Sequence, residues 1–386
     1  MTDGVSSDIS ATERSSAATL RPPHKVEAEP VGTGVGLNCG DPRYAVILAP
    51  QPPEAASLRL GVLGGFLPQP QVSSLSCFLA CALPRRPSCT IEPLGSDGPA
   101  RQLDSFSGFI VPKTWLDDPQ RLDETVTARL GDRRDWITLI VPLSITPRGE
   151  AAVIHRPFGE IHYKISSSGA VSQQLLPRYP ALPRANSAAA VWPPAGEAPD
   201  AFRREALGAD LGALGTGSGL IVSRADGLPN GFIPPPGTIV LVPGTTTWTK
   251  LARRGVMVHG SFDGLGEEEF GGLRSAFPHV TRWLKVSHAA APAETDLPLV
   301  ATYRLVPTHQ PDDLSRWSHF FWRSGSQFEF YLAANPHLRT ATHGAGPGHT
   351  VTTIRRHLVA PGQAQIFLSY DDFFSAVVKS DNHHVR

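Results

Sequence analysis

The sequence predicts an α/β protein: two facing parallel-sheet α/β domains around a cleft, preceded by a disordered N-terminal tail. Three observations carry that expectation. From residue 219 onward, short apolar runs alternate with glycine-containing turns and helical segments, the pattern of strand–helix–strand units and a parallel sheet. The same order returns about one hundred residues later. Residues 1–40 combine Ser, Thr, Ala, Gly and Pro with almost no aliphatic periodicity, so they offer too little apolar surface to offset the entropy of ordering.

Length and composition narrow the classes further. The chain has 386 residues, which at roughly 150 residues per domain suggests two domains. Lys+Arg and Asp+Glu are both 35, a net charge of zero, against a nucleic-acid or membrane-surface binder, which would carry a basic excess. Gly and Pro number 36 and 37, well above average usage, and imply many loops. No uncharged apolar run approaches the roughly 18 residues of a spanning helix. The four cysteines, Cys39, Cys77, Cys81 and Cys89, are too few in so long a chain for a disulfide framework. The first residues lack the apolar core of a secretory signal, and the expected compartment is the cytoplasm.

Taken in order, ordered sequence is expected to begin with Tyr44–Ala49, an apolar run between Pro42 and Pro50 that reads as a buried strand. Strand-like runs follow at Leu60–Leu63, Phe106–Val111 and Trp136–Val141, with a helix expected over Pro119–Leu130, where Leu122, Val126 and Leu130 recur every fourth residue. Residues 178–200, rich in Pro and Ala, read as a linker closing an N-terminal α/β region over 41–200. Two similar halves are expected after it, over 206–291 and 292–386. In the first, strands at Gly219–Ser223 and Thr238–Val242 lead through Pro243-Gly244-Thr-Thr-Thr247 into a helix from Trp248 to Arg254, closed by Gly255, and a third strand at Val256–His259. In the second, Ser318–Ser324 is strand-like, Gln327–Ala334 helical, and Gly344–Thr350 a turn before a helix over Val351–Leu358.

The chemistry should sit at the two Gly/Thr turns. Free N–H groups, hydroxyls and the positive end of a helix dipole make an anion site, and two such turns on facing domains suit an extended, multiply anionic ligand. Simple helix capping by Ser and Thr is the competing explanation. Neither turn is a Walker A loop or a G-x-G-x-x-G fingerprint, which disfavours a nucleotide. There is no H-E-x-x-H, no zinc-spaced cysteine pairs and no G-x-S-x-G, so neither a metal nor a hydrolase triad is expected, and Cys77 and Cys81 read as buried small hydrophobes. Tyr303, on the strand returning between the halves, is either a donor to a leaving oxygen or an interdomain packing residue.

Residues 219–386 resemble uroporphyrinogen-III synthase. The resemblance rests on Val-Pro-Gly-Thr-Thr-Thr-x-x-x-Leu251, Ala-Thr-Tyr303-Arg, Phe-Phe-Trp-Arg-Ser324-Gly-Ser and Gly346-Pro-Gly-His-Thr350. It departs from the family at one point: the threonine of the Gly-Pro-x-Thr turn falls one residue late, and His349 takes its place. The resemblance implies a lyase needing no cofactor. It would cyclise hydroxymethylbilane, a flexible linear tetrapyrrole bearing eight carboxylates, to uroporphyrinogen III, with loss of water and inversion of the last pyrrole ring. Tyr303 would then be catalytic, and Ser223, Thr246, Thr247, Arg323, Ser324, Gly325, His349 and Thr350 would bind substrate. Much of the rate would come from folding the substrate into a reactive geometry. A monomer is expected, with the preceding pathway enzyme as a contact. Residues 41–200 show no family pattern. Two alternatives stand beside this reading: a non-catalytic tetrapyrrole- or anion-binding module, and a fusion with a degenerate hydroxymethylbilane synthase region, whose cofactor-anchoring cysteine has no convincing counterpart here.

Overall fold

The computed structural model describes residues 41–49, 57–63, 67–85, 87–94, 106–118, 136–146, 151–209, 211, 214–215, 217–292 and 297–378. The expected tail over 1–40 and the helix over Pro119–Leu130 lie outside the described residues. What is described is mixed α/β, with four sheets, three of which contain parallel pairs. Among the described residues no helix is long and apolar enough to cross a membrane.

The N-terminal region forms a five-stranded sheet from β1 (Tyr44–Leu48), β2 (Ser57–Val62), β3 (Ser88–Pro93), β4 (Gly108–Pro112) and β5 (Ile137–Ile140), with, among the described residues, one α-helix, α1 (Gln69–Ala82). The strand order is β3-β2-β4-β1-β5. β2 runs parallel to β3 and β4, and β1 antiparallel to β4 and β5. β1 and β4 are buried along their whole length, as unbroken apolar runs must be when both sheet faces are covered. α1 escaped the sequence reading because apolar and small residues surround it. It turns Leu75, Phe78, Leu79 and Ala82 inward, and this overturns the expectation for Cys77 and Cys81, which lie on the opposite face and are exposed.

A three-stranded antiparallel meander follows: β6 (Ala151–Arg156), β7 (Gly159–Ile165) and β8 (Val171–Pro177). Burial alternates along β6 and β7, one face packing and one facing solvent. The stretch expected to be a linker is not one. Within it, β9 (Val191–Trp192) pairs with a strand of the last sheet, and Trp192 is 3 % exposed, its ring 4.7 Å from that of Trp322.

The next sheet holds β10 (Phe202–Ala206), β11 (Ser218–Val222), β12 (Ile239–Val242), β13 (Gly260–Ser261), β14 (Arg282–His288) and β15 (Leu299–Pro307), in the order β10-β15-β14-β11-β12-β13. Its pairs are parallel except β10–β15. The helices α2 (Thr245–Arg253) and α3 (Phe270–Arg274) belong to this lobe. The expected strand at Val256–His259 is shorter and later, at Gly260–Ser261. The last sheet is fully parallel, β18-β17-β16-β9, from β16 (His319–Trp322), β17 (Thr342–Ala345) and β18 (Ala364–Ile366). It carries α4 (Gly325–Leu332), α5 (His349–His357) and α6 (Tyr370–Val377).

Chain order and sheet membership differ. β9 and β16 pair in one lobe, so the other lobe, 202–307, is threaded between them through the antiparallel β10–β15 ladder. The crossing therefore falls after Pro307 rather than at residue 292. Nor is the N-terminal sheet a separate body. Core residues of β1, β2 and α1 form one cluster with those of β11, β12 and α2. The Trp248 indole on α2 donates to the Ala82 carbonyl at 2.9 Å and meets Phe78 edge-on at 5.1 Å. Ile140 N–H donates to the His259 carbonyl at 2.7 Å, bringing β5 against the edge next to β13.

Candidate functional site at the interlobe junction

Every residue expected to bind substrate lies at the carboxyl end of a parallel strand or on the helix that follows it, where open α/β sheets place their ligands. Ser223 ends β11, and its N–H donates to the Val286 carbonyl at 3.1 Å. Thr246 and Thr247 fall in the first turn of α2 after β12. Arg323, Ser324 and Gly325 join β16 to α4, and His349 and Thr350 open α5 after β17. The second helix thus starts at His349 rather than at Val351.

The helix starts divide into two kinds. Ser324 caps α4, its Oγ accepting from Gln327 N–H at 3.1 Å, and Ser369 caps α6 in the same way. Capping accounts for the Ser324 hydroxyl. α2 and α5 instead follow Gly244 and Gly348 and have no side-chain cap, so the positive ends of their dipoles are not met by a capping hydroxyl. Gly348 has φ of 101°, a conformation that favours glycine. Gly325 serves packing, since a Cβ there would stand 2.9 Å from Thr353 on α5. Arg323 donates to the Gly196 carbonyl at 2.9 Å, fastening the segment after β9.

The two turns do not face each other directly. Residues 262–269 run between them and touch every neighbouring part. Asp263 accepts from the backbone of Leu143 at 3.0 Å and the hydroxyl of Ser144 at 3.0 Å. Burial pushes its carboxyl above the ordinary range despite these donors. Gly266 lies against Gly348, where a Cβ would come within 2.9 Å of the Gly348 Cα. Glu267 accepts from the buried Lys285 ammonium at 2.6 Å and lies 3.4 Å from His349 Nε2. Burial alone would raise the Glu267 carboxyl, but the His349 and Lys285 hydrogen bonds outweigh it and hold it below the usual carboxylate range. Glu269 pairs with Arg156 of the meander, with Nε to Oε1 at 2.6 Å, and with Arg43 at 3.8 Å.

Thr245, Thr246 and Thr249 line a groove of about 690 Å³ shared with Cys77 and Cys81 of α1. Tyr303, on β15, is 4 % exposed. Its ring packs against Gly227 and its hydroxyl shares a hydrogen bond with Ser287, while burial raises the phenol above its ordinary value. The charges of Arg224 and Arg204 act on it, and both arginines pair with Asp226, at 3.0 and 3.6 Å. Sequence reasoning missed Glu267, Lys285, Arg204 and Arg224. One signal was present: a lysine within the apolar run Trp283–Val286, which burial obliges to find a partner.

His343, which precedes the second turn, is fully buried and structural. Trp322 Nε1–H donates to its Nδ1 at 2.9 Å, so its Nε2 carries the proton and donates to the Leu338 carbonyl at 2.7 Å. Among the described residues no group of three or more His, Cys, Asp or Glu is placed to hold a metal ion. No protein-family model, curated protein or solved structure matches this chain.

Proposed function

We propose that residues 202–378 form a uroporphyrinogen-III synthase-like lyase, which binds hydroxymethylbilane across the two lobes and closes it to uroporphyrinogen III with loss of water. The observation that carries the proposal is the pair of uncapped helix starts, α2 and α5, at the carboxyl ends of strands in two parallel sheets joined by the β10–β15 ladder. The positive dipole ends of two helices, one on each lobe, are suited to separate carboxylates of one flexible molecule. Arg204 and Arg224 on one side and Arg323 on the other would add charge-assisted contacts. On this reading Thr246, Thr247, His349 and Thr350 contact substrate, and no cofactor takes part.

Cyclisation needs a proton delivered to the leaving hydroxyl so that it departs as water. Tyr303 is the proposed donor, with its phenol protonated throughout the neutral range. The rest of the rate enhancement comes from holding the chain ends together. One specific observation favours the second reading, a binding module without the reaction: the Tyr303 hydroxyl is already engaged by Ser287 and sits behind Gly227. The cytoplasm and a contact with the preceding pathway enzyme belong to the same proposal.

Incubation with enzymatically made hydroxymethylbilane, followed by oxidation and separation of the porphyrin isomers, tests it. Predominantly type III product supports the lyase. Type I product alone, which forms without ring inversion, leaves the binding module.

A further inference from the structure

At the amino ends of β11 and β12, away from the helix starts, lies a cavity of about 590 Å³. The N-terminal sheet supplies one wall, Trp136–Thr138, and the 202–307 lobe the rest. Apolar surface comes from Trp136, Ile239, Met257 and Phe277, while among the described residues no Lys, Arg, Asp or Glu lines it. Polar groups are few and specific. Val240 N–H donates to His259 Nδ1 at 3.0 Å, so the neutral ring carries its proton on Nε2. The Phe277 ring stands edge-on to both His259 and His279, at 6.2 and 6.4 Å. Thr238, 4 % exposed, lines the same cavity, and its Oγ1 is shut away from solvent with no hydrogen-bond partner. Such an orphaned hydroxyl is uncommon in a folded protein and calls for an explanation.

An apolar cavity of this size, with a small number of placed polar groups, has the character of a small-molecule site. We propose that it binds a small, uncharged aromatic molecule carrying an amide or ketone oxygen, at a site separate from the interlobe junction and independent of the reaction assigned there. The His259 Nε2–H donates to the ligand oxygen, and the Thr238 hydroxyl takes up its remaining polar group. The rings of Phe277 and Trp136 pack against the ligand plane. A charged ligand is rejected because it would shed its hydration with no charged side chain among the described lining residues to meet it.

Calorimetric titration of the full chain with 2-quinolone tests this, with quinoline-2-carboxylate as the charged counterpart. Saturable one-site binding is expected for 2-quinolone, at least about tenfold tighter than for the carboxylate. Thr238→Val, which keeps the shape and removes the hydroxyl, should weaken binding by about fivefold. Met257→Trp, which fills the cavity, should abolish it. Both variants are checked for folding by circular dichroism, and if Met257→Trp fails to fold, Thr238→Val decides alone. Absence of saturable binding, equal binding of the carboxylate, or unchanged binding by folded Thr238→Val would overturn the proposal.

Discussion

Glu267 shows how much one side chain can organise. Lys285 has 3 % of its side chain exposed and points its ammonium at the Glu267 carboxylate. Removing one partner of a buried pair leaves a charge without compensation, and that costs more than the pair itself contributes. Glu267→Gln should therefore destabilise the protein by about 3 kcal/mol in urea denaturation. Adding Lys285→Met should restore most of the loss, and equal stability of the single and double variants would count against the pairing. Acid acts first on two buried histidines. Burial depresses His259 and His343 from 6.5 to about 4. With the folded value below the unfolded one, the neutral ring is the form the fold holds. The stability is complete above pH 6.5 and is lost as pH falls from 6.5 toward 4, by about 3 kcal/mol for each ring. Glu267 adds to this below pH 4.5, since its folded carboxyl is also depressed. Asp263 runs in the opposite sense, because burial raises it and protonation relieves that cost. Denaturation midpoints measured from pH 7 to 4 should fall steadily; a flat profile would show that the two imidazoles are not neutral and buried.

At the scale of elements, legibility followed how self-contained each signal was. Tyr44–Leu48 and Ile239–Val242 are apolar runs bounded by turn residues, and both are strands. The glycine turns at 243–244 and 346–348 were visible because a strand, a turn and a helix succeed one another within a dozen residues. α1 was hidden because its buried stripe of Leu75, Phe78 and Leu79 is interleaved with Ser, Cys and Ala, which blur the helical period. β9 was hidden because only Val191 and Trp192 enter the core, between prolines that read as linker. Helix seating on the last sheet can be tested directly. A Cβ at Gly344 on β17 would overlap the buried Phe373 ring of α6. Gly344→Ala should cost about 1–3 kcal/mol through overpacking, read as a lower melting temperature, whereas an unchanged value would mean that α6 moves aside freely.

For the whole molecule, what was legible is the mixed α/β class with parallel strand pairs. The parallel sheets are present, but the N-terminal sheet shares its core with the 202–307 lobe, through Trp248, Ala82 and Ile140. Periodicity reports which residues are apolar and not which distant apolar faces meet, so the sharing could not be read beforehand. The same limit applies to the junction. The turns were legible, whereas the 262–269 segment became important only through contacts with residues far away in sequence, Leu143 and Gly348 among them. The proposed function requires that one polycarboxylate engage both lobes at once. Amide hydrogen exchange of the full chain with and without uroporphyrin III, an octacarboxylate, measures that directly. Slower exchange is predicted together in the first turns of α2 and α5 and at the start of α4, on both sides of the 262–269 segment. Protection confined to one lobe, or none at either, would contradict it.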